Sequence, residues 1–578
     1  MWLLSLFLPI VACLPSRDQG TLHEAARDLL SASMNSSVEP CDDFFDFACG
    51  GWLEQHEIPA AGYVSTASIN ENSVNQKLIV TYATYTIGKV FETADVQGCP
   101  LSAYTTDLGE EVVADRVRRD VQDIIDMDAL LEQGGSGRDP DLDISTLDRK
   151  LPAVDWHRYL ELLLGSEQLP FVKKLRAIEM DKFTHWAKVL NSTSPRVIKN
   201  YFVVYYSILY NLELDQRYSA LYNAIVQPKK PRREQCLDLT RALTSGQAMS
   251  ALYVSKHFDP TIKATVEEMA SDIQEAFIEI LNENQWMDAK AKENAVKKAK
   301  EMIIHIGYDT SLLSNTALDA YYSKANVSIN DSFAEQVEKW VTWASYDKYR
   351  NHNSVLSARH AMLSEFRAAR AKAKSPVLKA FHLPDVAAAF IQPPFYSKAM
   401  PAAFNYGALG VIIAHEMAHG FAEGGKHEDT DEMNNNRTWS DDTSKEFQKV
   451  KNCIVQQYDE VKIPEIEETI DGTKTSEENM ADLGGVKAAF RAYQRHIKKH
   501  GSGPKVPRST DAFYSDEQLF FLSHATQRNT SDSCTLAHGG FARTVPLSRP
   551  LSDEKAFADA FHCAPGTSMN PTKQCKIW

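Results

Sequence analysis

Ala408-Leu-Gly-Val-Ile-Ile-Ala-His415-Glu416-Met-Ala-His419-Gly-Phe421 is apolar apart from His415, Glu416 and His419. An apolar run of this length predicts a buried helix, and Gly424-Gly425 supply a stop after it. On such a helix His415 and His419 stand four residues and about 40° apart on one face, close enough for both imidazoles to grip one ion. Glu416 sits beside that face. This spacing predicts a Zn2+ site of the peptidase kind, in which the two histidines hold the metal and the glutamate acts as base toward the metal-bound water.

A second stretch strengthens the reading: Thr475-Ser-Glu-Glu478-Asn479-Met-Ala-Asp482-Leu-Gly-Gly485. Glu478 and Asp482 share a helical face, so one can ligate zinc while the other accepts a hydrogen bond from a ligating imidazole. Taken alone, the segment also reads as a capping box, with Thr475 at the N-cap and Glu478 three residues on. Beside the histidine pair, the zinc reading is preferred.

The chain has 578 residues, which suggests about two to four domains. Its 43% hydrophobic and 24% charged residues describe a globular protein, and a formal charge of −15 argues against nucleic acid or an anionic membrane surface as partner. The basic cluster Lys229-Lys230-Pro-Arg232-Arg233 is then a solvated loop. Residues 1–13 form a short apolar stretch that predicts a cleaved secretory signal, although Ile10-Val-Ala-Cys13 also resembles a bacterial lipobox. No other stretch approaches eighteen apolar residues, so no transmembrane anchor is expected. Asn-x-Ser/Thr sequons at Asn35, Asn191, Asn326, Asn330, Asn436 and Asn529 favour eukaryotic secretion and an extracellular glycoprotein. Beyond Cys13, Cys41, Cys49, Cys99, Cys236, Cys453, Cys534, Cys563 and Cys575 form an even set, which in a secreted chain predicts four disulfides. Spacing leaves their connectivity open, but the clustering near both ends predicts termini stapled to the body.

In chain order, a polar, poorly patterned tail runs to about Pro40. Cys41-Asp-Asp-Phe44-Phe45-Asp-Phe47-Ala-Cys49-Gly50-Gly51-Trp52 is aromatic-rich and closed by glycines. Asn70 to Phe91 has a helical pattern, Gly134 to Pro140 is a break, and helix-like spacing returns between Val154 and Tyr222. Thr265 to Ile306 is the strongest helical region, interrupted near Asn282, restarting at Met287-Asp288 and ending at Gly307. Ala358 to Lys374 reads as a helix with a solvated basic face. Val386 to Tyr396, containing Gln392-Pro-Pro394, reads as an extended edge leading into the histidine helix. The expectation is a mainly α chain with a small β element.

Several of these stretches together resemble the neprilysin and endothelin-converting-enzyme family of zinc endopeptidases. The carriers are the Cys41–Trp52 segment, Trp286-Met-Asp288 with Lys298-Ala299 and Ile306-Gly-Tyr308, Gln392-Pro-Pro-Phe395-Tyr396, and Asn405-Tyr-Gly407 running into the histidine motif. Glu478 to Gly485, Ala560-Phe-His-Cys563 and the ending Cys575-Lys-Ile-Trp578 complete the set. The resemblance implies a two-lobed gluzincin metallopeptidase, a thermolysin-like catalytic domain plus a helical lid domain, with a closed cavity between them that admits only peptides. In this chain the catalytic domain would be residues 41–85 and 355–578, and the helical domain 86–350. By matching positions it implies zinc ligands His415, His419 and Glu478, base Glu416, and Asp482 orienting a ligand histidine. It also implies the pairs Cys41–Cys563, Cys49–Cys534, Cys99–Cys236 and Cys453–Cys575. Phe390, Phe395, Val411 and Ile412 match the family's apolar pocket for the residue after the scissile bond, and each would serve equally as core packing.

The departures concern the groups that hold substrate. The chain is shorter than family members and lacks much of their helical domain. The family's substrate-binding strand corresponds to Lys379-Ala380-Phe381-His382, with lysine in place of asparagine. Its His-Ser-Pro-x-x-x-Arg pattern corresponds to His538-Gly-Gly-Phe-Ala-Arg543, in which His538 would steady the oxyanion and Arg543 the substrate backbone. Phe421-Ala422-Glu423 stands where the family has Phe-Asp-Asp. Two functions follow: a secreted zinc endopeptidase acting on short peptides, or a secreted peptide-binding or antagonist protein that keeps the fold and turns over poorly. The intact ligands and base favour the enzyme.

Overall fold

The computed structural model describes residues 22–55, 110–133, 142–164, 180–209, 232–349, 385–421, 439–529 and 545–577, less a few positions inside these ranges. The described chain is mainly helical, with two small two-stranded sheets. It divides into two compact units, one drawn from Met1–Thr66, Ala248–Asn315 and Ala358–Trp578, the other from Ala67–Gln247 and Thr316–Ser357.

In the first unit the histidine helix, Val411–His419, lies along a carboxylate helix, Ser476–His500. Small residues make the approach close. A Cβ on Gly485 would stand 3.0 Å from the Cα and backbone N of His415, and Ala481, Gly484, Ala488, Ala489 and Ala492 are buried along the same helix. Pro260–Glu283 packs against both helices through Ile273, Phe277 and Ile280. On its solvent side Arg495 bridges Glu275 and Glu279, and Arg491 pairs with Glu283 at 2.8 Å. The histidine helix is preceded by Ala402–Asn405 and by one π-helical turn, Tyr406–Gly410. Gly407 in that turn touches the helix Asp516–Asn529 so closely that a Cβ would fall 2.1 Å from the Phe520 carbonyl oxygen.

Both ends of the described chain close onto this unit. The helix Phe44–Gln55 packs Phe44 edge-to-face against Phe557 and Phe561, with ring centroids 4.7 and 5.1 Å apart, and Cys41 is disulfide-bonded to Cys563. At the other end Nε1 of Trp286 donates to the Ile577 carbonyl across 2.6 Å, and Nδ2 of Asn284 to the same oxygen across 3.3 Å. A second disulfide joins Cys453 to Cys575. These contacts are why the Trp286 motif and the C-terminal ending, far apart in sequence, belong together.

Some elements differ from the sequence expectation. Within the tail before Pro40, residues Leu22–Ser33 form a helix whose Ala26, Leu30 and Ser33 are buried, a short i, i+4, i+7 face that polar neighbours obscure. Gly50-Gly51 do not close the aromatic segment; the helix runs through them, because Gly51 lies where a Cβ would meet the Met34 carbonyl at 2.4 Å. The segment Val386 to Tyr396 is extended only at its start. Asp385–Ala387 pairs in parallel with His305–Gly307, His305 opposite Asp385, and then a 3-10 turn and the cis Pro393-Pro394 bond fold the chain back. Proline offers no N–H to continue a ladder. The capping box is also absent: Thr475 is the N-cap residue, but its side chain makes no cap hydrogen bond to the helix.

In the second unit Leu142, Leu147, Leu151, Trp156 and Met180 form a core cluster among the helices Ile144–Lys150, Trp156–Leu164 and Met180–Ser192. Tyr201 on Pro195–Leu209 donates its hydroxyl to Asp128 of Glu110–Glu132 at 2.9 Å. Trp343 on Phe333–Tyr349 packs edge-on against Tyr321 and at a tilt against Tyr322. The span 86–350, expected as a single helical domain, is thus split, and Ala248–Asn315 packs in the first unit. Its buried Val266, Ile273, Phe277 and Ile280 have their apolar complement in the histidine and carboxylate helices, which sequence adjacency does not reveal. The helices expected at Asn70–Phe91 and Ala358–Lys374, and the signal at residues 1–13, lie outside the described residues.

Candidate metal centre

Ile412, His415, Glu416 and His419 are the partly exposed residues of their helix, whereas Val411, Ile413, Ala414, Met417 and Ala418 are buried. The 3.6-residue period therefore presents the three polar side chains on one open face while the opposite face forms the core. The carboxylate helix adds Glu478 and, one turn on, Asp482. Nε2 of His415 lies 3.0 Å from Nε2 of His419, and Oε2 of Glu478 lies 3.3 Å from the first and 3.4 Å from the second. Among the described residues, these three form the one His/Cys/Asp/Glu group whose donor atoms all lie within 4.8 Å of one another.

These separations test the fit to zinc. With metal–donor bonds of about 2.0–2.2 Å in a tetrahedron, two donors on one ion stand about 3.3–3.6 Å apart. The three atoms already approximate one face of that tetrahedron, and a fourth position is left for water or substrate. Two imidazoles and one carboxylate are also a donor set suited to zinc.

The electrostatics follow from the same contacts. Asp482, 2% exposed at its side chain, accepts from Nδ1 of His415 at 2.8 Å, which turns Nε2 toward the metal position. Burial opposes a charge on His415, but hydrogen bonds to Asp482 and Glu478 outweigh it and push its pKa up to about 10. Burial likewise opposes ionisation of Glu478, and its bonds to His415 and His419 outweigh that, holding the carboxyl well below the usual range. Without metal the cluster is thus a proton-holding His–carboxylate network, and zinc uptake must displace a proton from it.

Phe390 and Phe395 stack on each other with ring centroids 4.1 Å apart, Val411 is buried and Ile412 lies on the open face. Lys379, Ala380, Ala422, Glu423, His538 and Arg543 lie outside the described residues, as do Cys99 and Cys534. Cys49 is buried with its sulfur 3.7 Å from the Ala525 carbonyl, and Cys236 is exposed and has no disulfide partner among the described residues. Gly485 and the π-helical turn, which set the height and approach of His415, were not singled out for that role from the sequence. A glycine inside a helix, which costs helix stability, is the signal that could have pointed to Gly485.

Two profiles of peptidase family M13 match this chain, over residues 89–309 and 381–577. The chain belongs to peptidase family M13. This M13 chain is 30% identical over 542 residues to neprilysin-1 of Caenorhabditis elegans, an overlap of 89% of the chain and 69% of the relative. It is 26% identical over 492 residues to endothelin-converting enzyme 1 of Bos taurus, covering 80% of the chain and 63% of the relative. In fold it is similar to the Mycobacterium tuberculosis zinc metalloprotease Zmp1 in an inhibitor complex, at a TM-score of 0.67 and 18% identity over 95% of this chain and 99% of the other. With its His-His-Glu group, this M13 protein is a neprilysin-like zinc metalloendopeptidase of mainly helical two-domain fold.

Proposed function

We propose that this chain is a secreted endopeptidase that hydrolyses short peptides, with His415, His419 and Glu478 as zinc ligands and Glu416 as general base. The carrying observation is the convergence of the three donor atoms at 3.0, 3.3 and 3.4 Å. Bound zinc supplies Lewis acidity and a water acidified toward neutral pH. Glu416, beside the ligands on the open face, takes the proton from the attacking water and delivers it to the leaving amine. Asp482 holds His415 in the tautomer that leaves Nε2 free for the ligand role. His538 is assigned to the oxyanion and Arg543, with Ala380 and Lys379, to the substrate backbone. Phe390, Phe395, Val411 and Ile412 are assigned to the apolar side-chain pocket. Disulfides that join distant parts of the chain support an oxidising, extracellular location. No described helix is long and apolar enough to cross a membrane.

The test is metal content together with turnover of a neutral peptide. Glu416→Gln should keep zinc and lose turnover by several orders of magnitude, while His419→Ala should lose both. A Gln variant that cleaves at the parent rate would assign the proton transfer to another group.

A further inference from the structure

The carboxylate helix carries a second histidine pair at its other end. His496 and His500 are four residues apart, and each follows Glu478 and Asp482 respectively by 18 residues, five turns at 3.6 residues per turn. They therefore lie on the same face, about 27 Å along the axis from the metal centre. Their ring centroids are 4.6 Å apart, the separation also found between His415 and His419. A carboxylate again comes from a neighbouring helix: Oε1 of Glu268, on Pro260–Glu283, lies 3.1 Å from Nε2 of His500.

We propose that His496, His500 and Glu268 form a second, surface site for a borderline transition-metal dication, with zinc as the reference ion. The His500–Glu268 separation of 3.1 Å is a little below the roughly 3.3–3.6 Å expected between two donors on one tetrahedral zinc. His500 and Glu268 are about half exposed, at 47% and 51% of their side chains, and His496 is partly exposed; as placed, the three donor atoms do not all lie within 4.8 Å of one another, so binding requires the His496 imidazole to turn toward His500 and Glu268. Two imidazoles select zinc, copper or nickel over magnesium and calcium, which prefer oxygen ligands. Two of the neighbouring cations are already engaged: Lys499 pairs with Asp272, and Arg495 with Glu275 and Glu279. The nearby carboxylates Glu268, Asp272, Glu275 and Glu279 outnumber them, which favours a dication.

Such an ion would clamp the C-terminal end of the carboxylate helix to Pro260–Glu283. It would also fix the His496 ring, which packs on Tyr406 with centroids 5.3 Å apart. Tyr406 opens the π-helical turn that runs into the histidine helix, and its hydroxyl donates to Asp272 at 3.1 Å. The second site is thus mechanically continuous with the metal centre without sharing a ligand with it.

The experiment is equilibrium dialysis of the full chain, with its catalytic zinc in place, against micromolar free zinc, followed by elemental analysis. The parent should hold two zinc ions per chain and His496→Gln/His500→Gln one, the retained catalytic ion reporting an intact fold. Glu268→Gln should weaken the second ion about tenfold or more while leaving the first. A melting temperature that rises with free zinc in the parent and not in the double variant would give the same answer without counting ions. One ion in the parent, or two in the double variant, overturns the proposal. If the double variant lost both ions, the single exposed change His500→Gln decides: one ion retained supports the site and two overturn it.

Discussion

Asp482 and His415, 67 positions apart in sequence, meet through a 2.8 Å hydrogen bond at which the carboxylate is almost wholly buried. The bond fixes both the tautomer and the rotation of the imidazole, so its loss should be felt at the metal rather than in the fold alone. Asp482→Ala is expected to weaken zinc about 10- to 100-fold, measured by competition with a chelator. Unchanged affinity would mean that helix packing alone orients His415.

Gly485 should behave as a spacer for the same pair of helices. A methyl group there meets the His415 backbone at 3.0 Å, so Gly485→Ala is expected to cost about 1–3 kcal/mol and to weaken zinc by moving His415 away from Glu478. Gly503→Ala, where nothing lies within 4 Å, serves as the comparison and should change stability by no more than about 0.5 kcal/mol. Equal denaturation midpoints for the two variants would contradict the spacer role.

Asp553 predicts a pH dependence of stability. Burial pushes its pKa up from 3.8 to about 6, against hydrogen bonds from Gln457 and the Cys575 backbone. Because the folded pKa is the higher, the folded state binds the proton more tightly. The resulting penalty is absent below about pH 4, grows as pH rises from about 4 to 6, and is constant above that. Asp553→Asn, which can still accept from Gln457, should stabilise the protein by up to about 3 kcal/mol at pH 7 to 8 and by little near pH 4. Denaturant titration at both pH values checks this, and an equal effect at both would show that the ionised carboxylate is not the source.

The disulfides are expected to hold the chain ends onto the catalytic unit. Peptide mapping without reduction should recover Cys41 joined to Cys563 and Cys453 joined to Cys575. Cys453→Ser/Cys575→Ser should lower stability by about 2–5 kcal/mol, read from the denaturation midpoint. An unchanged midpoint would show that the Trp286 and Asn284 hydrogen bonds to Ile577 suffice without the bridge.

The sequence by itself determined the features that depend on local geometry. A four-residue spacing places His415 beside His419 and Glu478 beside Asp482 on any α-helix, and with those residue types it made the metal and the two-helix site legible, as helical periodicity did the mainly helical chain. The break near Asn282 and the restart at Met287-Asp288 were legible for the same reason: the Pro260–Glu283 helix ends there, and Asp288 caps the next one by accepting from Ala291 N–H at 2.9 Å. Only the tertiary structure decided that Glu478 reaches both histidines while Asp482 reaches one, since that depends on the height and separation of two helices held at contact distance by Gly485. It also decided that Ala248–Asn315 belongs with the metal-binding unit, that Gly50-Gly51 continue a helix, and that Thr475 makes no capping bond to it. The capping bond is lost within one turn, because Thr475 donates to the Asp471 carbonyl instead, whereas the other two are settled by partners farther along the chain, the histidine and carboxylate helices and the Met34 carbonyl, and no local pattern records where such a partner will stand.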